Sequence, residues 1–146
     1  MLEAAALITR LAACVDGFRS VQGAGELAAL MDARVPMGAG KPFAHVVSTG
    51  LRGSDPQTSA GAFTQMIDVT FSVFLTFPTA NDPTGSKLQS ESYKLINATI
   101  GCLAGWAPDD CVGVFRLVRG GLQSLKPGAA VYIIDFAVLD QVRIYA

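Results

Sequence analysis

Apolar and polar residues follow an alternating pattern within residues 63–77, regular from Ile67 to Phe77 except at Phe74. The apolar positions share one face of an extended strand: Ile67, Val69, Phe71, Val73, Leu75 and Phe77. The opposite face carries Asp68, Thr70, Ser72 and Thr76. Because successive side chains of a strand point to opposite faces, the pattern predicts one strand with one solvated face.

The length of this strand is informative in itself. Fifteen extended residues span roughly 50 Å at about 3.4 Å per residue, whereas a domain of this size is roughly 40 Å across. The strand is therefore bent, or it extends past its own domain. The second case is typical of a subunit that assembles with other chains, and a bulged strand in an ordinary sheet is the alternative.

Helical periodicity predicts three helices, over residues 2–16, 26–33 and 86–103. Gly17 ends the first of them and Gly105 ends the third. Two of these helices precede the long strand, and the third follows it.

The remaining segments predict shorter strands and loops. Strands are expected over residues 43–48, 112–118 and 131–139, the last continued by 141–145. Residues 50–61 are rich in Gly, Ser, Asp, Thr and Pro, which predicts a mobile loop.

Turns are predicted at residues 81–86 and 126–128. The resulting order is helix, helix, strand, loop, long strand, helix, strand, strand. It predicts a single α+β domain over residues 1–146, with a mainly antiparallel sheet, a long strand and helices packed on one side.

The chain is weakly charged. Charged residues make up 16% of it, with 11 basic and 12 acidic residues, against roughly 25% in an average soluble domain. This balance argues against nucleic-acid binding driven by phosphate neutralisation and leaves neutral surface for protein contacts. No run of eighteen apolar residues is present, so no membrane span is expected.

The three cysteines, Cys14, Cys102 and Cys111, include no Cys-x-x-Cys pair. The pattern matches neither a disulfide framework nor a zinc site. Buried, reduced thiols in the cytoplasm are therefore expected.

Candidate catalytic motifs are weak. Gly23–Ala28 has the letters of a dinucleotide fingerprint, but the next predicted strand carries His45 and no acidic residue, and Glu26 would face the pyrophosphate. His45 could act as a general base or a metal ligand, and a polar residue at a strand end is the preferred interpretation. Asp109 and Asp110 are interpreted as a solvated turn.

Asp135 lies in an apolar strand and needs a partner if it points inward, because an unpaired buried carboxylate is costly. Arg116, Arg119 and Arg143 on neighbouring predicted strands could supply one. We therefore expect a structural ion pair, no catalytic, cofactor-binding or metal site, and no cofactor. Trp106, after the third helix, is predicted to pack in the core.

Three segments carry a family resemblance: GAGELAAL at residues 23–30, LAGWAP at 103–108 and YIIDFAV at 132–138. Together with the order of elements, they resemble the tail terminator (tail completion) proteins of tailed bacteriophages over nearly the whole chain. The motifs are structural and not catalytic.

The resemblance implies a ring, with six copies, that sits on the last ring of the tail tube and stops its polymerisation. The implied partners are further copies of the chain, the tail tube protein, a head–tail connector or stopper protein and, in a contractile tail, the sheath protein. DNA would pass through the channel without specific binding, and no membrane is involved. The implied location is the head-proximal end of the virion tail, after assembly in the host cytoplasm.

The residues expected at subunit or partner contacts lie in and beside the predicted loops and turns. They are Leu51, Arg52, Asp55, Gln57, Thr58, Phe63, Asn81, Asp82, Lys87, Arg119 and Lys126.

Two alternatives stay open at this point. The chain could be a tail-tube or head–tail connector subunit, which would polymerise into long tubes or bind the portal. It could instead be a small α+β enzyme or ligand-binding domain that uses His45 and Asp135 in a pocket with convergent polar groups.

Overall fold

The structure is a computed structural model that describes residues 2–32, 41–78, 86–108, 111–126 and 128–145. Its helices are α1 Ala4–Cys14, α2 Ala24–Asp32 and α3 Ser86–Leu103. Its strands are β1 Ser20–Gln22, β2 Phe43–Gly53, β3 Gln57–Ser59, β4 Ala62–Pro78, β5 Arg116–Lys126 and β6 Ala129–Tyr145. The end of the second predicted helix, at residue 33, and residues 81–85 of the turn predicted over 81–86 lie outside these residues.

The strands form one sheet in the order β1-β2-β4-β6-β5, and β3 pairs with the beginning of β4. β1 runs parallel to β2, and every other pairing among the described strands is antiparallel. The predicted α+β class with a largely antiparallel sheet is therefore confirmed. β1 was not predicted, because three residues are too few to show a period.

The predicted long strand is confirmed and has a partner of equal length. β4 and β6 are each 17 residues long and pair without a register shift from Ala62–Tyr145 to Pro78–Ala129. At about 3.4 Å per residue, such a ladder is roughly 55 Å long. These two neighbouring strands are the longest of the described strands.

The alternating apolar residues of β4 face a continuous core. Leu7 and Leu11 of α1, four residues apart on one helix face, join this core together with Leu95 and Leu103 of α3. Leu27 of α2 is buried outside that cluster. The packing of every helix on one side of the sheet therefore stays a prediction.

The loop predicted over residues 50–61 is wrong for most of its length. β2 continues to Gly53, and β3 pairs with the beginning of β4. Gly61 has φ 78°, the left-handed conformation that glycine adopts without strain, in the tight turn between β3 and β4. Both faces of these segments are solvated, so the sequence shows no alternation, but β4 supplies backbone partners.

The strand predicted over residues 112–118 is wrong in its position. β5 begins at Arg116 and runs through Gly120 and Gly121 to Lys126, with register shifts at Leu117/Arg119 and Leu122/Ser124. The preceding segment is irregular, and its Gly113 N–H donates to Leu139 O over 3.0 Å. The two glycines lie between the register shifts and pair in register with Ile134 and Ile133, and at Gly120 a Cβ would meet the Tyr132 ring at 3.3 Å.

The expectation of reduced, buried thiols is wrong for two of the three cysteines. Cys14, exposed at the end of α1, forms a disulfide with the buried Cys102 of α3, with 6.2 Å between their Cα atoms. The two helices pack side by side, and the 88 residues that separate the cysteines conceal this in the sequence. Cys111 is a free thiol and is half-buried.

Trp106 packs against the core, as predicted, but remains half-buried. Its ring stacks on the buried ring of Phe115, with 5.3 Å between centroids and 7° between planes. The Arg10 guanidinium lies 4.9 Å from the Trp106 ring centroid, and its Nε donates to Cys102 O. Trp106 therefore closes one end of the core beside α1.

Candidate assembly surfaces

Three rows of side chains cross the core face of the sheet from β4 through β6 to β5. Cross-strand partners lie side by side on one face, so the register defines these rows. The rows are Phe71–Phe136–Leu117, Leu75–Tyr132–Leu122 and Phe77–Ala130–Leu125. Each row begins at a buried residue of β4 and ends at an exposed leucine of β5.

We call Leu117, Leu122 and Leu125 the edge leucines. They are 43%, 59% and 66% exposed, respectively, whereas the β4 residues of the same rows are at most 3% exposed. The apolar surface of the core therefore continues beyond the part that the described helices cover. Contiguous exposed apolar surface of this kind is typical of a site where another protein binds.

β5 is also an edge strand. In the described part of the chain it pairs only with β6, so the backbone groups on its other side have no ladder partner. Edge strands are open to pairing with another chain unless bulges or charges oppose it. β5 has two bulges and two arginines, but it also carries the edge leucines and the exposed Val118.

The opposite edge of the sheet is open as well. β1 pairs with β2 only from Phe43 to His45, so the outer side of β2 beyond His45 has no ladder partner among the described strands. At one end of the sheet, the end of β2, all of β3, the beginning of β4 and the end of β6 lie together. We call this end the β arm, and it comprises residues 50–53, 57–59, 62–68 and 139–145.

The β arm exposes large apolar side chains on a short part of the sheet in which β4 lies between β6 on one side and β2 or β3 on the other. Leu51 is 60% exposed, Ile144 58% and Tyr145 72%. Phe63 is half-buried and pairs with Thr58 on one side and Ile144 on the other. None of these four apolar side chains belongs to the core or packs against it. The arm therefore offers a second apolar surface, unlike that of β5.

The sheet face opposite the core carries ion pairs. Arg116 of β5 binds Asp68 of β4 through both guanidinium Nη atoms, with Nη1 3.1 Å from Oδ1. The hydrogen bonds to Asp68 raise the pKa of Arg116, with desolvation opposing, so its charge is retained at any physiological pH. Both side chains are substantially solvated, which makes the pair a weak contributor to stability.

The second ion pair has a larger network. Asp135 accepts a hydrogen bond from Arg119 Nε at 3.0 Å and another from the Ser72 hydroxyl at 2.5 Å. Thr49 Oγ1 lies 3.1 Å from Ser72 Oγ and extends the network to β2. The prediction that Asp135 has a structural arginine partner is confirmed, and the partner is Arg119.

His45 lies near the start of its strand, in line with the preferred interpretation, but its side chain is buried. It is the third residue of β2 and is 1% exposed. Burial lowers the pKa of His45, and the nearby Glu26 opposes that shift more weakly. Among the described residues, no hydrogen bond or ion pair joins His45 to Asp135, and no group of three potential metal ligands is present. The structure therefore does not assemble the catalytic pair considered for the enzyme alternative.

The described residues among those predicted at interfaces lie in three places. The β arm and its connecting loop hold Leu51, Arg52, Asp55, Gln57, Thr58 and Phe63. Arg119 and Lys126 lie on β5, and Lys87 lies in the first turn of α3. Asn81 and Asp82 are outside the described residues, as are Asp109 and Asp110. No contact with another chain tests these assignments.

The edge leucines were missed by the sequence reasoning. The stretch RLVRGGLQSLK contains apolar residues at irregular intervals, and its paired glycines suggested a break. A signal was present, because Leu117, Leu122 and Leu125 lie on one face once the two bulges are allowed for.

An α+β fold with two open sheet edges among its described strands, and exposed apolar residues beside them, has the features of a structural subunit that associates with other proteins. The sequence model of the phage tail terminator protein family matches residues 1–145, essentially the whole chain. The chain therefore belongs to the phage tail terminator family, a family of structural virion proteins and not of enzymes.

As a member of this family it is a structural component of the phage tail, located in the virion and interacting with other tail proteins. A comparison with curated proteins gives no significant match. None of the described helices is long and apolar enough to cross a membrane.

Proposed function

We propose that the chain forms a closed ring, with six copies by family resemblance, that caps the tail tube and ends its polymerisation. The ring then presents the joining surface to the head. The observation that carries the proposal, beyond family membership, is that the sheet ends in two unlike open edges.

The two edges lie on opposite sides of the sheet, at β5 and at the outer side of β2. A contact between unlike surfaces is heterologous, so each copy can bind one neighbour at each edge. Repetition of such a contact gives a closed ring if the rotation closes and an open filament if it does not. A terminator requires closure, because an open polymer would extend the tube instead of ending it.

The edge leucines supply the apolar part of this contact. Full burial of a leucine side chain stabilises by about 1.5–3 kcal/mol. A neighbour that covers Leu117, Leu122 and Leu125 continues the three rows of the core across the boundary between copies. Residues 50–62, beside the long strand, are the segment of the neighbour that we expect to take part.

The further partners follow from the position of such a ring. The tail tube protein binds one face of the ring, a head–tail connector or stopper protein binds the other, and a sheath protein binds the rim in a contractile tail. DNA passes through the channel. The ring lies at the head-proximal end of the tail, is assembled in the host cytoplasm and has no contact with a membrane.

Light scattering and negative-stain electron microscopy of the purified protein, alone and mixed with tail tubes, test the proposal. We expect closed rings at high protein concentration or on tube ends. Leu122→Lys should abolish them because it places a charge in the buried part of the contact. Charged substitutions in residues 50–62 should have the same effect and leave the subunit folded.

The matched control is Tyr93→Lys, since Tyr93 is 70% exposed on α3 and lies on neither edge. This variant should form rings like the wild type. A strictly monomeric protein on tail tubes would contradict the proposal. Long open filaments of the pure protein would favour a tail-tube subunit instead.

A further inference from the structure

Arginines are concentrated on the sheet face opposite the core, which we call the open face. Arg52 pairs with Asp68, Arg119 with Asp135 and Arg143 with Thr64, while Asp135 in turn pairs with Ser72. Thr64, Asp68 and Ser72 alternate with the core residues of β4, so their partners share the open face. Arg116 belongs to it through its contact with Asp68.

The open face is therefore more positive than the chain as a whole. Four of the seven arginines in the sequence lie on its described part, namely Arg52, Arg116, Arg119 and Arg143, against two acidic residues, Asp68 and Asp135. These charges leave a net +2 on a protein whose formal net charge is −1. Such segregation of charge favours a polyanionic partner.

The arginines and aspartates lie at different depths. The Arg119 side chain is 82% exposed and that of its partner Asp135 only 15%, while Arg116 and Asp68 are 52% and 33% exposed. The carboxylates are recessed, and the guanidinium groups stand above them. A molecule that approaches this face meets arginine first.

The ion pairs leave donors for that molecule. Arg119 uses only its Nε toward Asp135 in the described contacts, so both Nη groups point to other partners or solvent. A planar guanidinium held by one carboxylate can donate in the same orientation to a phosphate oxygen. Asp68 and Asp135 thus hold the arginines in place and also reduce their net attraction for an anion.

The positions of the helices bear on which face of the sheet is directed toward the axis of a ring. The residues of α1 and α3 that join the core pack on the other face, and α2 approaches the open face near β2, where Glu26 acts on His45. The open face of β4, β6 and β5 is thus the broad surface on which no α1 or α3 core residue lies. When copies join edge to edge, one sheet face is directed to the axis, and over β4, β6 and β5 this is the face that α1 and α3 leave uncovered.

We propose that the open face lines the channel and that Arg116 and Arg119, with Arg52 and Arg143 at the β arm, contact the phosphate backbone of duplex DNA. This inference rests on the ring proposed above. Asp68 and Asp135 act as positioning residues that keep the contact weak, so that DNA slides and does not stick. The face reads no bases, because it presents charge to the backbone alone.

Fluorescence anisotropy with a labelled duplex, measured on the full chain, tests this assignment. Asp68→Asn combined with Asp135→Asn removes both counter-charges with little change of shape. We expect affinity to rise roughly tenfold at about 50 mM salt, with a log–log salt slope steeper by about 2 because two more arginines are free to neutralise phosphates. Arg116→Gln combined with Arg119→Gln should weaken binding by a similar factor.

The matched control is Glu3→Gln combined with Glu91→Gln, two exposed residues beside or on helices, which changes net charge equally away from the open face. Equal affinity of this control and the Asp68/Asp135 variant would overturn the inference. If the Asp variant fails to fold, the arginine variant decides, and unchanged binding there overturns it too. Light scattering of the same samples tests the ring separately, so absence of rings contradicts the proposed function and not the charge of this face.

Discussion

Leu75 and Leu122 lie in the same row of the same sheet face, two strands apart, with Tyr132 between them. Leu75 is completely buried, and Leu122 is 59% exposed. The residue type and the face are identical, so the difference comes from what lies above each strand. Leucines of α1 and α3 join the core that holds Leu75, while no described element buries Leu122.

This difference separates two functions within one sheet. The middle of the sheet, with β4 and β6, supplies the stability of the subunit. The same apolar rows continue at the β5 end, but no described element buries their leucines, which remain exposed in the free subunit. Isolated exposed leucines are ordinary, but three at the ends of three rows on an edge strand form a continuous apolar surface, which is the one assigned above to the proposed contact between copies.

The largest expected effect is a difference between two identical substitutions. Leu75→Ala should reduce the free energy of unfolding by about 2–5 kcal/mol, because it leaves a cavity in a closed core. Leu122→Ala should change it by less than about 0.5 kcal/mol and should weaken the ring. Denaturant unfolding of both variants measures the change in the free energy of unfolding. Equal losses would contradict the distinction between the buried middle of the sheet and its exposed β5 edge.

Trp106→Ala should have an intermediate effect. The ring is half-buried but stacks on Phe115 and lies beside Arg10. We expect a loss of about 3 kcal/mol, at the lower end for a large aromatic residue replaced by alanine. An unchanged melting temperature would show that Trp106 takes no part in the core.

A smaller effect concerns pH. Because burial lowers the pKa of His45 below its ordinary 6.5, the unfolded chain binds a proton at a higher pH than the folded chain. The free energy of unfolding should therefore fall as pH falls from about 6.5 toward the folded pKa. His45→Gln should remove that part of the decrease. Identical melting temperatures against pH for both proteins would show that His45 does not titrate in this way.

The sequence predicts the parts of this fold in which one face is buried. The alternation in β4 and the periodicity of α3 each reflect a boundary between core and solvent, and both elements are found. β1 was missed because three residues are too few to show a period, and β3 and the displaced β5 were missed because their residues are mostly exposed on both faces. Asp135 was assigned an arginine partner correctly, since a carboxylate in an apolar strand requires one.

The surfaces assigned to assembly depend on details that the sequence conceals. Composition led to the prediction of a mobile loop over residues 50–61, where the structure has the strands of the β arm, because β4 supplies backbone partners that composition does not show. The edge leucines depend on the pairing of β5 with β6 and on two bulges, which only three-dimensional register reveals. The link between Cys14 and Cys102 likewise depends on the packing of α1 against α3.

Hydrogen exchange of the β5 backbone, compared between the free subunit and the ring, tests the central claim most directly. We expect the outward amides of residues 116–126 to exchange rapidly in the free subunit and at least roughly tenfold more slowly in the ring. Exposed amides near Tyr93 on α3 serve as the internal control and should not change. Unchanged exchange along β5 in closed rings would show that this edge is not where copies of the chain meet.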